Sequence, residues 1–203
     1  TIIDEYVYCE ALGKSGKEPI LVLRDLYKER YLGGTAAIAR NLSSFCKQIT
    51  LLTNIGQKND EKKFIEKNLQ KNIKTVFLNK KNSPTITKKR FIEHINKTKI
   101  FGVYSLNDQP LDNDQESKLN KKIQNLINSH DLVIVSDYGH GLISDKTAKL
   151  IVKKSKFVAV NTQLNSSNLG FHVISKYIGA NFITINEQEM RHELRNKTEN
   201  RMP

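Results

Sequence analysis

A helix followed at once by an apolar strand constrains this chain more than any other feature. Leu119, Ile123, Leu126 and Ile127 recur at i, i+4, i+7 and i+8, which predicts a helix with one apolar face over 114–128. The next segment, Asp131-Leu132-Val133-Ile134-Val135-Ser136, is apolar on successive positions rather than alternate ones. That pattern predicts a strand buried on both faces, as in a parallel sheet with helices on either side. The step recurs along the chain. A strand over 49–53 precedes a helix over 60–71 with Phe64, Ile65 and Leu69 on one side. Ser144-Asp145 can cap a helix running to Lys154, and strands follow at 157–160 and 181–185. Such alternation implies an α/β fold with a mostly parallel sheet flanked by helices.

Two stretches break the rhythm. Residues 6–24 are extended, with Gly13, Gly16 and Pro19 but no helical period. Residues 75–104 contain two strand-like runs, at 85–92 and 98–103. These read as strands of a small separate sheet, solvated on one face. The predicted organisation is a single domain over 1–203, with two lid segments, about 6–24 and 75–104, inserted in the α/β core.

Charge and cysteine usage narrow the function classes. Lys+Arg 33 against Asp+Glu 21 gives +12 over 203 residues, a balance that suits polyanions. The lysines are spread in pairs (Lys62-Lys63, Lys80-Lys81, Lys88-Lys89, Lys121-Lys122, Lys153-Lys154) and interleaved with acids, so they read as solvated surface rather than a nucleic-acid face. No apolar run approaches the roughly 20 residues of a membrane span. Cys9 and Cys46 make no disulfide framework, and a reducing cytoplasm is the expected setting. The five histidines are too dispersed to suggest a metal site.

In an open parallel sheet, ligands bind at the carboxyl ends of strands. Three strand ends carry polar groups: Ser136-Asp137-Tyr138-Gly139-His140-Gly141, Asn161-Thr162-Gln163 and Asn186-Glu187-Gln188-Glu189. Together they suit a polar ligand, while each alone is also what caps the following helix. Gly33-Gly34-Thr35-Ala36-Ala37 opens a small-residue helix, where a ligand can approach the backbone or a strand can pack closely.

Taken in order and spacing, these segments resemble the PfkB-type carbohydrate kinases of the ribokinase superfamily. The likeness is greatest to the heptose-phosphate kinase domain of bifunctional heptose-nucleotide synthases. It rests on Asp4-Glu5-Tyr6, Gly33-Gly34, Thr53-Asn54-Ile55-Gly56, Pro84-Thr85-Ile86-Thr87-Lys88-Lys89-Arg90, the segment 136–141 and Asn186-Glu187-Gln188-Glu189. The resemblance implies a ribokinase-like α/β fold with a small β lid, incomplete at both ends, and an ATP- and Mg2+-dependent activity. By it, Asp4 is the sugar-binding carboxylate, Gly33 and Gly34 the backbone platform beneath the sugar, and Asn41 lies on the same helix. Arg90 suits the phosphate of a sugar phosphate, and Asp137 belongs to the substrate wall. Asn161 lies near the nucleotide phosphates, and Asn186 and Glu189 match the N-x-x-E pattern that serves Mg2+ through water. The lid in such kinases also commonly forms a homodimer interface.

The departures are as informative. Ala37 stands where many relatives carry an Asn, and Asn161 where the heptose kinases commonly carry an Asp. Residues 166–177 form a polar, Asn-rich segment with no evident counterpart. The family's G-A-G-D segment, with its anion hole and catalytic base, is absent. The expectation is therefore a substrate-binding piece of a kinase, inactive alone, whose full-length parent phosphorylates a sugar or sugar phosphate. The alternative is a non-catalytic module that binds a sugar phosphate or sugar nucleotide.

Overall fold

The structure is a computed structural model and describes residues 1–57, 61–165 and 174–195. The chain divides into two compact units, Thr1–Asn107 and Asp108–Pro203.

The first unit carries β1 (Ile2–Lys14), β2 (Leu21–Gly33), α1 (Gly34–Leu42), β3 (Ile49–Gly56), α2 (Lys62–Lys67), β4 (Ile73–Lys80), β5 (Ile86–Glu93) and β6 (Lys99–Ser105). β1 pairs antiparallel with β2 and parallel with β5, and β6 lies antiparallel on β5. The sheet order is β2-β1-β5-β6, and β3 and β4 form a separate parallel pair. Period-two alternation divides β1: Ile3, Val7 and Cys9 are buried on one face, while Asp4, Tyr6 and Tyr8 are only partly covered on the other. The core joins Leu32, Ala36, Ala39, Leu51, Ile55, Ile65 and Ile73. Each large aliphatic side chain buried there is worth roughly 1.5–3 kcal/mol. Ala36 and Ala39 present no bulk, so α1 packs directly against β1, β2 and β3.

In this unit three details depart from what the sequence predicts. Residues 73–80 pair with β3, not with the strands of the other lid segments. The helix at 60–71 contracts to Lys62–Lys67, and the Asn68 side chain donates to the Phe64 carbonyl at its end (2.8 Å). The extended segment near residue 24 continues as a strand to Gly33.

The second unit carries α3 (Asn113–Ile127), β7 (Val133–Asp137), α4 (Asp145–Lys154), β8 (Val158–Thr162), a 3-10 turn at Ile174–Tyr177, β9 (Phe182–Thr184) and α5 (Glu187–Leu194). Its three strands run parallel in the order β7-β8-β9. Asp112 caps α3 by accepting from Gln115 N (2.7 Å), and Ser144 caps α4 by accepting from Thr147 N (3.1 Å). Val135, Val158 and Val160 are buried. The opposite side chains form an in-register row, Ile134–Ala159–Phe182, with Ile134 39% and Phe182 56% exposed. The strand predicted to be covered on both faces is thus covered on one. No helix among the described residues is long and apolar enough to cross a membrane.

Candidate functional site

In the first unit the sheet brings Asp4, Gly33 and Arg90 together. Asp4 is in register with Tyr31 on β2 and Lys88 on β5, and Tyr6 is in register with Arg90. Arg90 Nη1 donates to Asp4 Oδ1 (2.5 Å), and both side chains are partly buried. Gly33 ends β2 and caps α1, and a Cβ there would stand 2.2 Å from Asp4 Oδ2. Only glycine leaves the carboxylate its seat. Gly34 begins the helix at φ +55°, a left-handed conformation that glycine adopts without strain. Partial burial opposes the charge on Arg90, but the hydrogen bond and charge of Asp4 outweigh it and hold the guanidinium above its ordinary pKa.

Tyrosines flank this pair. The Arg90 guanidinium carbon lies 5.7 Å from the Tyr6 ring centre and 5.8 Å from that of Tyr104, and Lys88 Nζ is 5.7 Å from Tyr104. Tyr31 meets Tyr6 edge-on, with centroids 5.8 Å apart. Lys89 points to the other face, where its Nζ is 3.1 Å from Glu5, so Arg90 shares its side with Lys88 as strand alternation predicts. Asn41 is not part of the group. It is exposed at the last turn of α1, about 10 Å along the axis from Gly34.

In the second unit the polar strand ends are present, and their groups are largely committed to the fold. Asp137 ends β7 and is buried; its Oδ1 accepts from Gly139 N (3.0 Å), and its Oδ2 from Tyr177 OH (2.7 Å). Lys176 Nζ stands 2.6 Å from the same Oδ2 and donates to the Ile143 carbonyl (3.1 Å). Burial first, then the Asp137 charge, pushes the Tyr177 phenol far above its ordinary pKa. Asn161 donates its amide to the Thr184 carbonyl (2.8 Å), tying β8 to β9.

Asn186 and Glu189 form a capping box on α5: Asn186 Oδ1 accepts from Glu189 N, and Glu189 Oε2 from Asn186 N, both at 2.8 Å. Glu189 Oε1 also accepts from Leu164 N (3.1 Å). Of the 166–177 segment, 166–173 lie outside the described residues. Among the described residues, no three His, Cys, Asp or Glu side chains cluster to hold a metal ion.

Comparison with known proteins gives these clusters a setting. No family model matches the chain. The bifunctional protein HldE of Campylobacter jejuni (strain RM1221) is 29% identical over 188 residues, which is 93% of this chain and 38% of that protein. HldE of Bradyrhizobium diazoefficiens is 24% identical, covering 98% of this chain and 40% of its own length. The chain thus spans about two-fifths of the curated relatives it matches. Among solved structures, phosphofructokinase-2 from Escherichia coli superposes with a TM-score of 0.70 at 12% identity, covering 96% of this chain and 60% of that one. A carbohydrate kinase from Agrobacterium tumefaciens gives 0.61 at 13% identity, covering 94% and 60%.

The fold is that of the ribokinase-like carbohydrate kinases.

On a ribokinase-like fold, several residues of these clusters carry no motif. Tyr31 and Tyr104 lie in stretches whose signal is only alternation, and their position beside Arg90 depends on strand register. Tyr177 and Lys176 reach Asp137 from 40 and 39 residues away, a separation that no local pattern reveals.

Proposed function

We propose that this chain is the acceptor-binding part of an ATP-dependent carbohydrate kinase, and that the complete enzyme phosphorylates a sugar or sugar phosphate of the heptose-phosphate kind. The observation that carries the reading is the Asp4 carboxylate seated on Gly33 and held by Arg90. The ribokinase-like fold and the similarity to the bifunctional HldE proteins support it. A fixed carboxylate can accept from two neighbouring sugar hydroxyls. Arg90 spends one N–H on Asp4, and its remaining donors suit a phosphate oxygen at the far end of the acceptor.

The residues present fit Mg2+ only through water. Each Glu189 oxygen already accepts one N–H and retains a second lone pair, which suits a metal-bound water rather than direct coordination. In this reading Asn186 and Glu189 hold the metal's waters, and Asn161 lies on the phosphate side. Bound Mg2+–ATP would supply the transferable phosphoryl group. The general base is assigned to residues outside this sequence, because Asp137 already receives two hydrogen bonds and an ammonium group. The chain alone therefore binds acceptor without turning it over.

Two further parts of the reading are a cytoplasmic location and a homodimer through the lid, the β2-β1-β5-β6 sheet, whose edge strand β6 exposes Phe101 and Val103. A second reading, a non-catalytic sugar-phosphate binding module, is favoured by the same contrast between an assembled acceptor cluster and committed strand-end groups. Coupled ADP-release assays on the chain and on a longer polypeptide containing it, with titration calorimetry of sugar phosphates, separate the two. Acceptor binding by both and turnover by the longer one alone supports the kinase reading. Binding without turnover by either supports the module. Absence of acceptor binding overturns both.

A further inference from the structure

A row of ring and guanidinium groups crosses all four strands of the β2-β1-β5-β6 sheet on the Asp4 side. Tyr31 on β2 meets Tyr6 on β1, Tyr6 lies beside Arg90 on β5, and Arg90 lies beside Tyr104 on β6. Consecutive centres are 5.8, 5.7 and 5.8 Å apart. Both ends of the row are exposed, and the Tyr31 end is anchored. Tyr31 is 46% and Tyr104 45% exposed, so each still offers ring surface. Tyr31 OH donates to Glu29 Oε2 (2.8 Å), which also accepts from Tyr8 OH (3.1 Å), so the Tyr31 ring is held in place. On the β6 side, Arg90 is in register with Gly102, which carries no side chain, and a Cβ there would press to 3.0 Å from the Tyr104 ring.

We infer that Tyr31 and Tyr6 form an aromatic wall on which the C–H face of the acceptor sugar lies, while Arg90, steadied by Tyr104, takes its anionic group. The inference deepens the proposed function and rests on its acceptor reading. The chemistry follows from the order of groups. A carboxylate for hydroxyls sits between ring surface and a cation, so the matching ligand has vicinal hydroxyls, an apolar ring face and a phosphate. Rigid aromatic rings contribute contact area at low entropic cost, and tyrosine adds a polar edge beside it. Neither inorganic phosphate nor an acyclic polyol presents all three features.

The chain has seven Tyr and no Trp, so intrinsic emission reports on tyrosine directly. Fructose 6-phosphate, sedoheptulose 7-phosphate, the corresponding free sugars and inorganic phosphate are titrated into the wild type, Tyr31→Ala, Tyr31→Phe and Tyr6→Phe. Thermal melts confirm that each variant is folded. Tyr31→Ala is expected to weaken sugar-phosphate binding by about tenfold, through loss of a ring face, while leaving inorganic phosphate within about twofold. Tyr31→Phe should restore most of the affinity, since the ring and not the hydroxyl bears the sugar. Sugar-phosphate affinity unchanged in Tyr31→Ala, or an equal loss for inorganic phosphate, overturns the wall and leaves the acceptor reading intact. Binding of no sugar phosphate by the wild type overturns the wall and the acceptor reading together.

Discussion

Gly33 and Asp4 compete for one volume, and glycine resolves the competition by having no side chain. A methyl at position 33 would stand 2.2 Å from a carboxylate oxygen, deep inside van der Waals contact, so Gly33→Ala must displace Asp4 from Arg90. If the proposed acceptor role is right, Gly33→Ala and Asp4→Ala each weaken sugar-phosphate binding roughly 10–150-fold, the equivalent of one charged hydrogen bond. The double variant should bind no worse than either single one, because both remove the same interaction. Calorimetry on the three proteins checks this, and additive losses would show that Gly33 acts independently. Tyr177 gives a second residue-scale test. Its phenol is buried against Asp137 and its pKa is raised by folding. A raised acid favours the native state below its unfolded value of about 10, and that contribution declines as pH rises above it. The stability of the chain, followed by denaturant titration at a series of pH values, should fall above pH 10 by up to about 1.4 kcal/mol per pH unit. Tyr177→Phe should flatten this slope while costing about 1–3 kcal/mol at neutral pH, through the donor lost to Asp137.

At the scale of elements, α5 and β5 each carry a test of their end groups. Asn186→Ala removes half of the capping box and should lower the stability of the second unit by about 1 kcal/mol. Glu189→Gln replaces one of two accepting oxygens by a donor that faces a backbone N–H, so it should destabilise by a similar or larger amount. Amide exchange over α5 measures both. On β5, Arg90→Ala should weaken phosphorylated sugars far more than unphosphorylated ones. Lys89→Ala, on the other face beside Glu5, should spare both. How much of this was readable in the sequence varied with burial pattern. α3 and α4 declared themselves through apolar spacing and capping residues, and the structure bounds them within a residue of expectation. β2 did not, because Arg24, Asp25, Lys28, Glu29 and Arg30 interrupt any apolar alternation; its pairing with β1 holds it. The N-x-x-E motif was visible, but a capping box and a metal-water ligand use the same letters, and only the hydrogen bonds distinguish the first. The tyrosine row was invisible, since it depends on register between strands up to 98 residues apart in sequence.

For the whole molecule, the proposed division of labour predicts that the purified chain releases no ADP from ATP with any sugar phosphate it binds. Sustained turnover above a mock-purified control would place the base among these residues, with Asp137 the first to substitute. The Ile134–Ala159–Phe182 row has a consequence of a different kind. It is an adhesive surface on a polypeptide whose copies repel one another through a net charge of +12. Repulsion of that sort reaches about 10 Å at 0.1 M salt and only about 3 Å at 1 M, whereas apolar attraction does not fade with added sodium chloride. The chain should therefore stay dispersed in dilute buffer and coagulate as salt rises, the reverse of ordinary salting-in. Light scattering across a salt series would register the crossover, and Phe182→Lys should move it to higher concentration.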